Sequence, residues 1–371
     1  MNSRTATPDS PLAGIRVIDL GMLLPGPVCA LHLAWLGADV LKVEPPGGEP
    51  GRHLYDGAFF DSYNRGKRSV ELDLKRDEGR ERLLDIARSA DVVVENFRPG
   101  VADRLGVGAD MLRTLNPRLV YCAISGFGRG SRETAPAHDL NFLARSGALA
   151  LPTTWSGQGR RSTRPAMPVA DLGGAAMAVQ AILAALIQRS RTGVGATLEI
   201  AMQEVMLHWL TWRASAQERG DDAAWTRYLE PANDIYETGD GRAIAIGAIE
   251  PRLWRALVNA LSEEGFVFPA GSEEWDWRKR RAQAAVLADI LSRAFASRGM
   301  AQWIERLEQA GVPADPLLTP SEALADPWLS ERRIVAADGW LRPPLPGVGD
   351  LAPAPVLNSE HMAVQSGKVW L

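Results

Sequence analysis

The chain of 371 residues has little cysteine and little histidine, two and five residues respectively. Cys29 and Cys122 each lie in an apolar stretch without CxxC or Cys/His spacing. That argues against a disulfide framework or a metal site and fits reduced, buried thiols in a cytoplasmic protein. Charge of one sign is also lacking, since 41 Lys and Arg stand against 45 Asp and Glu. Without a basic stripe interleaved with aromatics, nucleic acid is not an expected partner. The longest apolar run, "GGAAMAVQAILAALI" at 173–187, is interrupted by Gln180 and is short. It reads as a buried helix rather than a bilayer span, so no membrane association is expected. The opening "MNSRTATPDSPLAG" lacks the charged-then-apolar order of a signal peptide and reads as a short disordered lead. Internal repeats are absent.

What is present is enough apolar sequence, 46% of residues, to bury more than one compact lobe. From Ile15 onward, short β-branched runs alternate with helical segments: "IRVIDL", "GPVCALHLAWLG", "ADVLKVE", "DVVVEN", "RLVYCAIS" and "ATLEIAM". Buried strands joined by helices predict an α/β lobe of Rossmann type, a parallel sheet covered on both faces. Long helices are predicted at 173–191 and 203–217, by their 3.6-residue periodicity. After Gly220 the composition changes. Two strand-like runs around "TGDG" read as a hairpin opening a smaller α+β lobe. Helices are expected there at 251–261, 281–297 and 300–310, before Pro-rich "GVPADPLLTPSEALADPWL". The domain boundaries are therefore placed at 1–220, 221–316 and 317–371, the last an extended return to the large domain.

Of the histidines, His138 alone has an acidic neighbour and a polar opening, in "PAHDLNFLARSG". By itself Asp139 reads as the N-cap of the helix that follows, with His138 merely preceding it. Asp171 in "PVADLGGAAM" and Glu250 in "AIGAIEPRLW" share this ambiguity, each standing at a helix N-terminus where the dipole also favours negative charge. The paired glycines after Asp171 weaken a helix, and they are expected to let backbone amides approach a ligand. "SGFGRGS" is only a partial dinucleotide fingerprint. Arg65, Lys67, Arg68, Arg98 and Arg104 fall in two loops near expected strand ends, where a polyphosphate could be held.

Taken together, "PLAGIRVIDLGMLLPGPVCALHLAWLGADVLKVEPPGG", "NRGKRSVELDLK", "VVVENFRPGVADRLG", "HDLNFLARSGAL", "ADLGGAAMAVQAILAAL", "RTGVGATLEIAM" and "GVPADPLLTPSEALADPWL" resemble the family III CoA-transferase and α-methylacyl-CoA racemase superfamily. The resemblance implies an interlocked homodimer acting on an acyl-CoA. CoA, the substrate's thioester carrier, would be held near Lys42, Val70, Leu72, Asn96, Arg98, Arg104 and Asp139. It implies no metal and no separate cofactor. "AHDLNF", "ADLGGAAM" and "GAIEP" are closer to the racemase branch, although Ala137, Phe142 and the "GFGRGSRE" loop depart from its usual pattern.

On that branch His138, oriented by Glu250, and Asp171 would be opposed acid/bases inverting the α-carbon of a 2-methyl or other 2-substituted acyl-CoA through an enolate. A donor such as the Gly173 amide would be worth about 3 kcal/mol at the oxyanion. The transferase branch instead implies Asp171 as an acyl-accepting nucleophile. A third reading is a catalytically silent CoA-binding or scaffolding protein.

Overall fold

The structure, a computed structural model, describes residues 10–130, 135–150, 164–220 and 229–332 together with Leu341 and Trp370. The expected N-terminal lead, most of the C-terminal return and the end of the "GFGRGSRE" loop lie outside the described residues. The chain divides into two compact units, one built on residues up to Ala148 and on Pro165–Trp209, the other on Leu210–Arg332.

In chain order the first unit contains β1 (Arg16–Asp19), α1 (Pro25–Trp35), β2 (Asp39–Glu44), α2 (Ala58–Asn64), β3 (Arg68–Glu71), α3 (Asp77–Ala87) and β4 (Val92–Glu95). It continues with α4 (Val101–Arg104), α5 (Ala109–Leu115), β5 (Val120–Ser125), α6 (Asp139–Arg145), α7 (Val169–Thr192), β6 (Thr197–Ala201) and α8 (Met202–Trp209). The six strands are parallel in the order β3-β2-β1-β4-β5-β6. β1 and β4 lie side by side at the centre, and their chain connections leave in opposite directions. A crevice therefore opens beyond their carboxyl ends, the position at which doubly wound sheets receive ligands. Val92, Val93 and Val94 are wholly buried, as expected of a strand covered on both faces.

The apolar run predicted to be a buried helix is α7. It begins at Val169, four residues before its first glycine, with Pro168 in the N-cap position. Gly173 and Gly174 serve close helix packing. A Cβ on Gly173 would come 2.6 Å from Met206 Cε and 2.8 Å from Trp209 Cη2, and one on Gly174 would come 2.6 Å from Met202 Cγ. The helix predicted at 203–217 is two, α8 and α9 (Thr211–Glu218). Near the other end of the chain, the Trp370 indole donates to Ser89 Oγ at 2.9 Å, within the first unit.

The second unit contains the hairpin β7 (Asn233–Glu237) and β8 (Ala243–Gly247), then α10 (Pro251–Glu263), α11 (Trp277–Ala282), α12 (Ala284–Phe295), α13 (Met300–Gln309) and β9 (Ala314–Pro316). β9 pairs antiparallel with β8, a strand hidden from sequence reading by its flanking prolines. Trp254, Trp303 and Phe295 form the buried centre of this unit. The indole N–H of Trp254 donates to Ser272 O and that of Trp303 to Phe295 O, so each buried ring keeps its polar atom satisfied.

Candidate active site

The crevice at the β1/β4 switch point is a cleft of about 450 Å³ lined by the loops after β1, β4 and β5, by the start of α6 and by the first turn of α7. The apolar wall includes Met22, Leu23, Ile124, Phe127, Phe142 and Met202; the polar groups include Asn96, Arg98, His138 and Asp171. The loop after β1 is pinned to the loop after β4 by one side chain. Asn96 Oδ1 accepts from Met22 N at 2.7 Å, and its Nδ2 donates to Met22 O at 3.0 Å. Next to it, Leu23 is held at a left-handed φ of 61°, with its N–H donated to Glu49 Oε2 at 2.7 Å.

His138 and Asp171, far apart in sequence, therefore line one cleft. His138 is exposed and stands at the N-cap of α6. Its own N–H donates to Asn141 Oδ1 at 2.9 Å, so the carboxamide three residues on closes the helix start.

Asp139 was expected to cap this helix; it is instead the first helical residue of α6 and caps a different one. Its Oδ1 accepts from Ala170 N at 2.7 Å and Asp171 N at 3.1 Å. Two of the orphan N–H groups of α7 are satisfied from a position more than thirty residues away. That carboxylate, assigned to CoA contact, is turned onto the α7 backbone. Asp171 follows in the first turn of α7, partly buried. Burial, reinforced by the Asp139 carboxylate, pushes its carboxyl up to about 7.

Four groups singled out in the sequence are engaged elsewhere. Lys42, placed on the phosphate side of CoA, is 0% exposed; its Nζ donates to Gly21 O at 2.8 Å and lies 3.8 Å from Asp19. A cation wholly enclosed this way supports the loop after β1 and does not meet a phosphate directly. Lys67 behaves alike, donating to Asp19, Pro27 O and Asn64, each at 2.8 Å. Burial brings its ammonium down to about 8 against the pull of Asp19. Arg68, on β3, pairs with Asp39 at 2.6 Å. Gly173, offered as an oxyanion donor, lies past the first turn of α7, so its N–H is committed to the helical ladder.

Among the remaining assignments, Arg98 is exposed on the cleft wall. Arg104 ends α4, its Nη1 3.3 Å from where a Cβ on Gly100 would stand. Val70 is buried in the core at the end of β3 and Leu72 packs on the same cluster. Glu250 belongs to the second unit. It occupies the N-cap position of α10, but its side chain makes no cap bond there and is exposed.

Sequence reading missed Met22, Leu23, Phe127 and Met202 as cleft residues. The signal that finds them is position, since the first three immediately follow the carboxyl ends of β1 and β5. Phe127 meets Phe142 edge-on at 5.3 Å between centroids. Phe142 also closes over Gly126, where an added Cβ would lie 2.2 Å from its ring.

The description of CoA-transferase family III matches residues 12–339. The mouse α-methylacyl-CoA racemase is 34% identical over 367 residues, covering 96% of this chain and 89% of the relative. The acetyl-CoA:oxalate CoA-transferase of Acetobacter aceti is 33% identical over 352 residues, covering 91% and 89%. Among solved structures, a CAIB/BAIF family protein from Brucella suis superposes with a TM-score of 0.82 at 28% identity, covering 94% of this chain and 96% of that one. With a mixed α/β architecture, a six-stranded parallel sheet and a match running almost end to end, the chain belongs to CoA-transferase family III, whose relatives include both racemases and CoA-transferases.

Proposed function

We propose that the protein is an acyl-CoA epimerase, inverting the α-carbon of a 2-methyl or similarly 2-substituted acyl-CoA by proton transfer between opposed bases. The observation that carries this reading is the Asp171 carboxyl, held near 7 in a cleft that His138 also lines. A group whose two protonation states are nearly balanced at neutral pH both accepts and returns a proton efficiently. An acyl-accepting carboxylate would instead gain from being fully ionised.

In the proposed reaction one of the pair removes the α-proton of the thioester while the other, protonated, delivers to the opposite face. The roles reverse for the other epimer. Because Asp139 already pairs two N-terminal amides of α7 that lack an intrahelical partner, the enolate oxygen gains from this helix chiefly through its dipole. CoA is the handle that positions the reacting carbon, with Asn96, Arg98 and Arg104 on its side and with Val70 and Leu72 beneath the adenine. The active form is a homodimer, a reading supported by the exposed Leu207 and Trp209 on α8, and it works in the cytoplasm without metal or separate cofactor.

The test is exchange of the α-hydrogen in D2O, followed by NMR for each pure epimer of a 2-methylacyl-CoA. Wild type exchanges both, His138→Ala loses exchange from one epimer and Asp171→Ala from the other. Absence of exchange together with CoA transfer to a free acid, through a hydroxylamine-trappable intermediate on Asp171, would replace this reading with the transferase one.

A further inference from the structure

Glu95 ends the central strand β4 and is only 6% exposed, yet it carries a carboxylate into the sheet. By strand alternation it shares the face of Val93, opposite to the side on which Asn96 reaches the loop after β1. Its Oε2 accepts from Phe97 N at 2.6 Å and its Oε1 from the Tyr121 hydroxyl at 3.3 Å. Phe97 sits between Asn96 and Arg98, and all three line the cleft. Behind them, Glu95 opens onto a second cavity of about 350 Å³ whose walls bring Tyr121 from β5, Arg129 from the loop after β5, Asp103 from α4, Asp110 from α5 and Glu199 from β6.

We infer that Glu95 is a positioning residue: through its bond to the Phe97 amide it fixes the segment 96–98 from behind the sheet, and its charge state tunes how firmly that segment presents Asn96 and Arg98 to a ligand. A carboxylate at this place holds an N–H more strongly than a neutral carboxyl does. Burial raises Glu95 to about 7, against the Phe97 and Tyr121 hydrogen bonds that lower it, with Asp103 adding to the rise and Arg129 opposing it. Its ionisation therefore falls within the neutral range. When Glu95 is protonated, its proton turns toward the Tyr121 oxygen, reversing that hydrogen bond. Both groups keep a partner in each state.

The functional part of this inference rests on the CoA-binding reading, so the test has one arm independent of it. In the full-length protein labelled with ¹⁵N-phenylalanine, the Phe97 amide resonance, assigned by its loss in Phe97→Leu, should move with pH around a midpoint near 7. In Glu95→Gln it should stay fixed. In the second arm, calorimetry gives the CoA dissociation constant of wild type and Glu95→Gln at pH 5.5 and pH 8. Taking the ratio between proteins at each pH cancels the titration of CoA itself. Wild type should bind as Glu95→Gln does at the lower pH and about fivefold tighter at the higher, the difference between a charged and a neutral acceptor. A Phe97 amide that ignores pH in wild type overturns the inference, as does an affinity ratio that does not change with pH. Failure of wild type to bind CoA would sink the proposed function alone, because the amide titration still decides the role of Glu95. Tyr121→Phe, which keeps the core volume, supplies a second variant. It should move the amide midpoint upward, since a hydrogen bond that favours the ionised form is removed.

Discussion

Asp19 and Asp171 are two aspartates of the same unit, both withdrawn from water near the same crevice, and their surroundings drive them apart. At Asp19 burial raises the carboxyl, but Lys42 and Lys67 outweigh it, aided by hydrogen bonds from Lys67 and Gly21, and the group ends below its ordinary value. At Asp171 burial acts in the same direction and the neighbouring Asp139 carboxylate adds to it, leaving the group near 7. The first is a permanent anion tying down the loop after β1. The second changes its charge at neutral pH. Burial alone thus does not mark a carboxylate as chemical; the sign of its companion does.

Removing the companion of Asp19 should produce the largest stability change. Lys67→Met strands a fully buried carboxylate whose remaining cation is 3.8 Å away, and urea unfolding should show a loss of about 3–5 kcal/mol. Asp171→Asn, by contrast, relieves a desolvated acid beside a like charge. It should leave the urea midpoint unchanged or raised while removing α-proton exchange from the one epimer that Asp171 serves. Next comes Gly173→Ala, which forces Met206 and Trp209 to move and should cost about 1–3 kcal/mol in the same assay. Asp139→Ala should cost about 1 kcal/mol as a lost cap of α7, and Asp139→Asn, which keeps an acceptor but not the charge, should move the Asp171 limb of the pH–rate profile to lower pH.

The same contrast fixes the pH dependence of the fold. Asp171, Glu95 and Glu230 all have folded-state values raised to about 7. Their contribution is fully present below the ordinary carboxyl range and is lost as pH rises through about 7. Asp19 and Glu44 are lowered, so theirs is present above the ordinary range and lost as pH falls through the depressed values. Thermal unfolding should therefore show greatest stability on the acidic side of neutral, declining from the ordinary carboxyl range, about pH 4, up to about pH 7. Asp171→Asn should flatten that decline.

Much of this was legible in the sequence because the governing signals are local. Consecutive valines at 92–94 mark a strand buried on both faces, and "TGDG" marks the hairpin. His138 and Asp171 stand out by the chemistry of their neighbours. What was not legible depends on partners distant in the chain. Lys42 and Lys67 look like solvated or phosphate-binding cations until Asp19 is seen between them. Asp139 has a cap residue's chemistry, but the helix it caps is thirty residues beyond the one it begins. The glycines at 173 and 174 signal closeness without saying to what, and the answer is α8 rather than a ligand. β9 carries two prolines at its borders and is recruited only by the exposed edge of β8.

The most direct test is a titration of the aspartate carboxyls by ¹³C NMR in protein labelled at aspartate only, which leaves Glu95 and Glu230 unseen. One carboxyl should titrate near pH 7 and vanish in Asp171→Asn, while the resonance lost in Asp19→Asn should remain that of an ionised carboxylate down to the acidic limit of the fold. An Asp171 carboxyl that titrates near pH 4, in the ordinary aspartate range, would contradict the account: the cleft would then hold a permanent anion, and the two aspartates would not differ in the way proposed.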